Sequence, residues 1–226
     1  MIRLNKYIAS SGVCTRKEAD VLISAGKIKV NQNIINSLGF KVNDEDVVEY
    51  NGKVLTNEKL TYVLLNKSKS TSAFNLVKDF CDVELSFLIE LNEKVTGVVI
   101  LTNDKILIDR LANTRAIIKQ KYILQLKEPL SEENIQNLKN GVQIDGDRIV
   151  FDMVKYGKQL IDKTQLVVLV SFRNQDFIFK AIEQFNNEII HIDRVEFGGV
   201  RKGDLLRGKC RYLEPKEIGF LKMTKV

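Results

Sequence analysis

The first 30 residues of the sequence are rich in basic side chains. Only two acidic residues, Glu18 and Asp20, share this stretch. Its basic residues are Arg3, Lys6, Arg16, Lys17, Lys27 and Lys29. Guanidinium and ammonium groups on one surface bind phosphates, so this pattern favours a polyanionic partner such as a nucleic acid. The same pattern is also typical of a solvated helix face, or of a surface for acidic proteins or lipid headgroups.

Cysteine and histidine are too few and too scattered for several kinds of site. Cys14, Cys81 and Cys210 are odd in number and far apart, which argues against a disulfide framework or a CxxC knuckle and favours a reducing compartment. His191 is the single histidine, so zinc sites with paired histidines are excluded. Its apolar neighbours at 189–192 predict an ordinary strand residue. We therefore expect no metal and no cofactor.

The overall composition is that of a globular protein with an excess of positive charge. The 226 residues are 44% hydrophobic and 28% charged, which excludes collagen-like and disordered chains. Lys plus Arg outnumber Asp plus Glu by 35 to 29, giving a net charge of +6 and a pI near 9.1. No apolar stretch reaches the roughly 18 to 20 residues that span a bilayer, and Met1–Lys6 is unlike a signal peptide. We expect a cytoplasmic protein without membrane partners.

Two helices and a strand are predicted to carry the N-terminal basic residues. The apolar residues of Leu4–Ile8 fall at i, i+3 and i+4, the spacing of a helix face. Thr15 and Glu18 have the spacing of a capping box that starts a second helix. Residues 27–30 then alternate polar and apolar side chains, as a strand does. The sequence predicts a small helix-helix-strand domain over residues 1–57.

Strands and helices alternate in the remainder of the chain. Apolar runs predict strands at 62–65, 98–101, 122–126, 166–170 and 189–195. Helices are predicted after the N-cap Ser131 and across Phe177–Phe185. This order predicts an α+β fold, in which a mixed β-sheet domain with flanking helices occupies residues 61–226. The glycine-lysine pairs lack the spacing of a phosphate-binding Walker loop.

The N-terminal sequence also resembles a known RNA-binding domain. The run from Arg3 to Ala19 and the continuation from Ile23 to Asn31 are similar to the opening of the domain named after ribosomal small-subunit protein four. In that family, two helices and the first strand present basic residues to structured RNA. The resemblance implies that the six basic residues of the first 30 positions contact RNA.

The rest of the chain resembles the rRNA pseudouridine synthases of the RsuA/RluB type. The resemblance is carried by Thr96–Asp104, by Lys121–Leu124 and by segments from Arg194 to Lys209. It implies conversion of uridine to pseudouridine on a flipped-out base, without a cofactor or metal. In that family an aspartate acts on the ribosyl-uracil unit and a tyrosine stacks on the base, a role that falls here to Tyr122. Alternatively, Tyr122 is a core residue of an apolar strand.

The motif that carries the family's aspartate has changed in this sequence. The Gly-Arg-Leu-Asp motif precedes the glycine of Thr-Gly by five residues, so Gly97 places it on 89–92. Asn92 therefore stands at the catalytic aspartate and Glu90 at the arginine. A primary amide is neither a nucleophile nor a base near pH 7. In addition, Gln120 occupies the position of a lysine that usually precedes the tyrosine by two residues.

The family's basic stretch after the central strand has changed as well. It lies over residues 172–179, where only Arg173 and Asn174 are retained and Phe177 and Phe179 are apolar. The resemblance keeps Arg173 as a candidate RNA contact. Three parts of the site have thus changed together.

These observations support one principal hypothesis and two alternatives. The principal one is an RNA-binding protein on a pseudouridine synthase scaffold that engages structured rRNA, with its catalysis placed in question by Asn92. The first alternative is an active rRNA pseudouridine synthase that uses a substitute acid such as Glu93. The second is an interaction module in ribosome assembly, in which Phe177 and Phe179 dock ribosomal-particle proteins.

Overall fold

The computed structural model describes residues 1–43, 45–56, 59–69, 73–112, 117–157 and 163–224. The chain divides into two units, Met1–Thr61 with Asn103–Asp109, and Tyr62–Thr102 with Arg110–Val226. The predicted α+β class is confirmed. The domain boundaries 1–57 and 61–226 stay a prediction of the sequence, and residue 57 itself lies outside the described residues.

Short helices and strands form the N-terminal unit. Its elements are β1 (Ile2–Arg3), α1 (Leu4–Ser10), α2 (Arg16–Ser24), β2 (Ile28–Val30), β3 (Asn33–Ile35), β4 (Lys41–Val42), β5 (Val48–Tyr50) and β6 (Lys53–Val54). The capping box is confirmed, because the Glu18 amide donates to Thr15 Oγ1 at 3.3 Å and the Thr15 amide donates to Glu18 Oε2 at 2.7 Å. Apolar side chains of α1, α2 and β2 pack into one core, including Leu4, Ile8 and Ile23. The polar faces of both helices are left outside.

A large mixed sheet organises the second part of the chain. The elements that follow β6 are β7 (Tyr62–Lys67), α3 (Ala73–Lys78), β8 (Ser86–Phe87), β9 (Val95–Thr102), α4 (Lys105–Ala112), β10 (Gln120–Leu126), α5 (Glu132–Asn140), β11 (Val142–Ile144), β12 (Asp147–Ile149), β13 (Met153–Tyr156), β14 (Gln165–Val170), α6 (Asp176–Glu183), β15 (Ile189–Phe197), β16 (Val200–Arg201), β17 (Cys210–Tyr212) and α7 (Pro215–Lys222). The strand order is β13-β14-β10-β15-β9-β7-β17, with β8 and β16 paired to β9 and β15. Only the β9 and β15 pairing is parallel among the described strands of this sheet, which makes the sheet mixed as predicted.

The structure confirms all five central strands that the apolar runs predict, namely β7, β9, β10, β14 and β15. Every residue of β9 is buried, as its continuous apolar run requires. Gly97 lies where β9 pairs with β15. A Cβ at this position would lie 2.1 Å from the Arg194 carbonyl oxygen, and the φ of Gly97 is +106°. Only glycine therefore allows this close strand approach.

Candidate functional site

The segment 88–94 between β8 and β9, here called the Asn92 loop, carries Asn92, the residue that the resemblance places at the family's aspartate. The side chain of Asn92 is partly buried and both ends of its amide are bonded. Its Oδ1 accepts from the Lys94 amide at 3.0 Å, and its Nδ2 donates to Asp176 Oδ1 at 2.9 Å. The Asn92 carbonyl accepts from the Val95 amide at 3.0 Å, which closes a turn. Asn92 is thus held as a structural hydrogen-bonding residue of the loop.

Gln175, just before α6, fixes the Asn92 loop from the opposite side. Its buried Nε2 donates to the Glu90 carbonyl at 2.9 Å, and its Oε1 accepts from the Asn92 amide at 3.0 Å. One side-chain amide therefore pairs with two backbone groups of the loop, and Asp176 adds the contact to the Asn92 side chain. Glu90 and Glu93 are themselves exposed. These bonds define the backbone conformation that presents Asn92.

A fully buried arginine lies behind the loop. The guanidinium of Arg194 donates from Nε to the Val98 carbonyl at 2.7 Å, from Nη1 to Gln120 Oε1 at 2.8 Å and from Nη2 to the Ile89 carbonyl at 3.2 Å. These partners are all neutral, and the group lies 4.7 Å from the Phe197 ring centroid. Burial lowers the pKa of Arg194. The position to which the resemblance assigned a lysine, Gln120, therefore supplies an acceptor for this arginine.

Tyr122 is fully buried within the same network. Its hydroxyl donates to Gln120 Oε1 at 2.9 Å, so Tyr122 and Arg194 share one acceptor. Burial raises the pKa of Tyr122, and the nearby charge of Arg194 opposes that rise. The ring packs in the main hydrophobic core, beside residues of β9 and β14. The base-stacking role implied for Tyr122 stays a prediction, and the fully buried ring presents no face to solvent in this conformation.

Arg173, the other candidate of the second unit, forms its hydrogen bond outside the Asn92 loop. Its Nη1 donates to the Ala112 carbonyl at 2.7 Å, and burial lowers its pKa. Its Nε and Nη2 have no hydrogen-bond partner among the residues that the structure describes. Phe177 and Phe179 are partly buried and pack against the main core. They do not form the exposed apolar face that a docking role would need.

A cationic cluster that the sequence analysis missed lies beside the Asn92 loop. The buried carboxylate of Asp193 pairs with Lys202 Nζ at 2.5 Å and with Arg207 Nη1 at 2.7 Å. Lys67 Nζ donates to the Val95 carbonyl at 3.0 Å and weakly to that of Asn92 at 3.4 Å. These residues come from β7, β15 and the segment after β16. Neither a sequence motif nor a fixed spacing therefore indicates that they lie together.

Hydrogen bonds and charge set the protonation of this cluster. Burial would raise the pKa of Asp193, but bonds and ion pairs with Arg207 and Lys202 outweigh it and hold that pKa below its usual range. Burial lowers the pKa of His191, which lies half-buried in β15 as an ordinary strand residue, 3.5 Å from Thr96 Oγ1. Asp193 is therefore a carboxylate at neutral pH, and two basic side chains, Lys202 and Arg207, share it.

The six basic residues predicted to contact RNA are all exposed in the N-terminal unit. No ion pair engages any of them within the described part of the chain. The two acidic residues nearby are occupied, since Glu18 caps α2 and Asp20 Oδ1 accepts from Asn5 Nδ2 at 2.9 Å. The positive charge of α1, α2 and β2 is thus available to an external anion.

The described residues lack two kinds of functional feature. They contain no group of three or more His, Cys, Asp or Glu that could hold a metal ion. No helix among them is long and apolar enough to cross a membrane.

Comparison with known proteins gives the family context of both units. The S4 domain model matches residues 2–48. The ribosomal large subunit pseudouridine synthase B of Bacillus subtilis is 27% identical over 96% of this chain and 94% of its own length. The Escherichia coli dual-specificity RNA pseudouridine synthase RluF is 27% identical over 96% of this chain and 77% of its own length. The ribosomal small subunit pseudouridine synthase A of Vibrio vulnificus is 24% identical over 96% and 98%.

A solved structure supports the fold. A pseudouridylate synthase crystal structure matches 98% of this chain and 100% of its own, with a TM-score of 0.62 and 22% identity. Because the sequence identity is low, this structural match supports the fold alone. Taken with the sequence relatives, the comparisons lead to one conclusion: the chain carries an S4 domain and is homologous over nearly its whole length to the RsuA, RluB and RluF type of rRNA pseudouridine synthase.

Proposed function

We propose that this protein binds structured rRNA and that its synthase scaffold does not isomerise uridine. The observation that carries the proposal is Asn92, because the position assigned to the family's aspartate holds a neutral amide with both ends bonded. Loss of an essential nucleophile removes orders of magnitude of rate. RNA binding does not need that nucleophile, and the exposed basic residues of the S4 domain can supply phosphate contacts without it.

RNA is the partner that the charge pattern and the relatives favour. Relatives named for both ribosomal subunits match nearly the whole chain, and S4 is the domain that carries the unpaired cations. The proposal places the protein in the cytoplasm, where its three free cysteines suit a reducing environment. Ribosomal-particle proteins as further partners stay a prediction.

Salt-dependent binding tests this proposal. Unmodified rRNA, transcribed in vitro, is titrated with the full chain at several salt concentrations. We expect log affinity to fall linearly with log salt, and Arg16→Gln to weaken binding roughly fivefold to tenfold and to reduce the slope by about one. Lys53→Gln, an exposed change of equal charge in the same unit, is the control. An affinity for rRNA that does not change with salt concentration, or the absence of binding, would overturn the proposal.

An active synthase is the second candidate, and one contact favours it. Asp176 Oδ1 lies 2.9 Å from Asn92 Nδ2, so a carboxylate stands next to the position of the missing one. Glu93, the substitute suggested by the sequence, is exposed. If the natural protein releases tritium from C5-labelled uridine in rRNA, Asp176→Asn should abolish that release, whereas Glu93→Gln should leave it. Release that survives Asp176→Asn would exclude this carboxylate.

A further inference from the structure

The segment from Lys202 to Lys209, here called the clamped loop, is held by one buried asparagine. Asn66 Nδ2 donates to the Leu205 carbonyl at 2.7 Å, and Asn66 Oδ1 accepts from Arg207 Nη1 at 2.8 Å. The Asn66 backbone closes the same loop, since its carbonyl accepts from the Gly208 amide at 2.8 Å and its amide donates to the Lys209 carbonyl at 3.1 Å. Four hydrogen bonds to a residue of β7 fix the shape of the loop.

The clamped loop presents a large apolar side chain to solvent. Leu206 is 72% exposed, and it stands next to Arg207 in the sequence. Exposure of a leucine is unremarkable where a loop is loose, but here the flanking backbone is bonded on both sides. The loop therefore holds Leu206 outward in a defined position.

Basic residues outnumber acidic ones at the loop. Lys202, Arg207 and Lys209 are set against the carboxylates of Asp193 and Asp204, so one positive charge is in excess. The side chains of Lys202 and Arg207 keep 24% and 39% of their surface in solvent. Lys69 is exposed and lies near enough to add its positive charge to the field at His191. Lys67 continues this positive surface to the Asn92 loop.

A rigid apolar tip beside cations is an arrangement suited to nucleic acid. Proteins that unstack bases insert Leu, Ile, Phe or Met between base steps while basic residues hold the adjacent phosphates. Access to a base within folded RNA also requires that the base leave its stack. A protein partner would be served by the leucine but would gain less from the surplus of positive charge.

We infer that the clamped loop is a second RNA-contacting element, in which Lys202 and Arg207 hold phosphates and Leu206 packs against an unstacked base. This inference rests on the proposed RNA-binding function and adds to it the part of the second unit that the RNA contacts. It makes two separable predictions, one electrostatic and one apolar.

The test compares Arg207→Gln and Leu206→Ser with matched controls in the binding assay on unmodified rRNA. Lys155→Gln, an exposed change on the edge strand β13, controls for charge, and Val150→Ser, 43% exposed, controls for the lost apolar side chain. We expect Arg207→Gln to weaken binding about fivefold and to lower the salt slope by about one. Leu206→Ser should weaken binding by a similar factor with an unchanged slope, because no ion contact is lost.

Two controls separate a lost charge from misfolding. Arg207→Lys keeps the positive charge and should keep the slope of log affinity against log salt. Thermal unfolding of each variant checks that it is folded. If natural protein and Arg16→Gln behave as proposed but Arg207→Gln and Leu206→Ser both bind like the controls, only this inference fails. If the natural protein does not bind RNA, both proposals fail. If Leu206→Ser instead disrupts association with a protein and leaves RNA binding intact, the loop is a protein-docking element and the inference is wrong.

Discussion

Asn92 stands where the resemblance places the family's aspartate, and the hydrogen bonds around its side chain suit an amide. Its Nδ2 donates to a carboxylate, Asp176, which a carboxylate at position 92 could not do. Gln175 is neutral, so no cation faces Asn92 from the start of α6. The site is therefore built for an amide, and restoring the acid alone would meet a like charge.

A double-mutant cycle measures this adaptation. Asn92→Asp should lower the free energy of unfolding by about 1 to 2 kcal/mol at pH 7, because it exchanges a hydrogen bond for repulsion from Asp176. Adding Asp176→Asn should restore most of the loss, since an amide can then donate to the new carboxylate. Urea unfolding of the four proteins gives the coupling. Additive effects of the two substitutions would show that the contact contributes nothing.

Asp193 provides a pH-dependent test at the same scale. Its pKa is lowered in the folded protein and near 3.9 when unfolded, so its contribution to stability is complete above about pH 4 and is lost as pH falls through the folded pKa. Asp193→Asn should cost about 3 kcal/mol at pH 7, because Lys202 and Arg207 lose their buried partner. The difference in the free energy of unfolding between the natural protein and the variant, measured with urea, should decrease below about pH 4. A difference that is constant with pH contradicts this assignment.

Individual residues were predictable where the information is local. Thr15 and Glu18 announce their capping box because both partners lie within one helical turn. The cluster of Lys67, Asp193 and the loop residues Lys202 and Arg207 could not be found this way, since three separate segments bring these residues together. The burial of Tyr122 was one of two readings of an apolar strand, and only the packing of neighbouring strands distinguishes them.

At the scale of elements, the start of α6 controls the Asn92 loop. Gln175 holds the loop, because its side chain forms hydrogen bonds with the backbone on both sides of Leu91. The residue that precedes α6 therefore has a structural role in holding the loop, while Phe177 and Phe179 extend the core.

Removal of the Gln175 side chain should loosen this loop. Gln175→Ala leaves the Glu90 carbonyl and the Asn92 amide without their partner, so we expect a loss of about 1 to 3 kcal/mol in stability and faster hydrogen exchange at the Asn92 amide. Gln184→Ala is the control, because Gln184 is exposed and bonds one carbonyl, that of Gln143. Equal exchange at Asn92 in both variants would show that Gln175 does not hold the loop.

Elements with continuous apolar runs were predicted well, and so was the short strand β2 from its alternating pattern, whereas β8 and β16 were not. The strands β9 and β14 are recognisable because burial on a central sheet position demands β-branched residues. Two-residue strands such as β8 and β16 have no period to detect, and tertiary pairing alone creates them. The capped helix α5 was predicted because Ser131 marks its start.

For the whole molecule, the two units differ in the functional features that they carry. The S4 domain keeps exposed cations whose neighbouring acids are occupied elsewhere. The second unit has the mixed sheet, the buried Arg194 and the cationic cluster, and it has the amide of Asn92 at the position that the resemblance assigns to the family's aspartate. The net charge of +6 and the near-complete coverage by rRNA-modifying relatives agree with retained RNA binding.

Tritium release from rRNA containing C5-tritiated uridine is the most direct test of this account. The natural protein is incubated with unmodified transcript at a concentration at which binding of the same sample is saturated, beside the Asn92→Asp/Asp176→Asn double variant. The account predicts complete binding by the natural protein with release no greater than in its absence. Release that approaches one tritium per bound RNA would contradict it, and would establish a working synthase with a different acid.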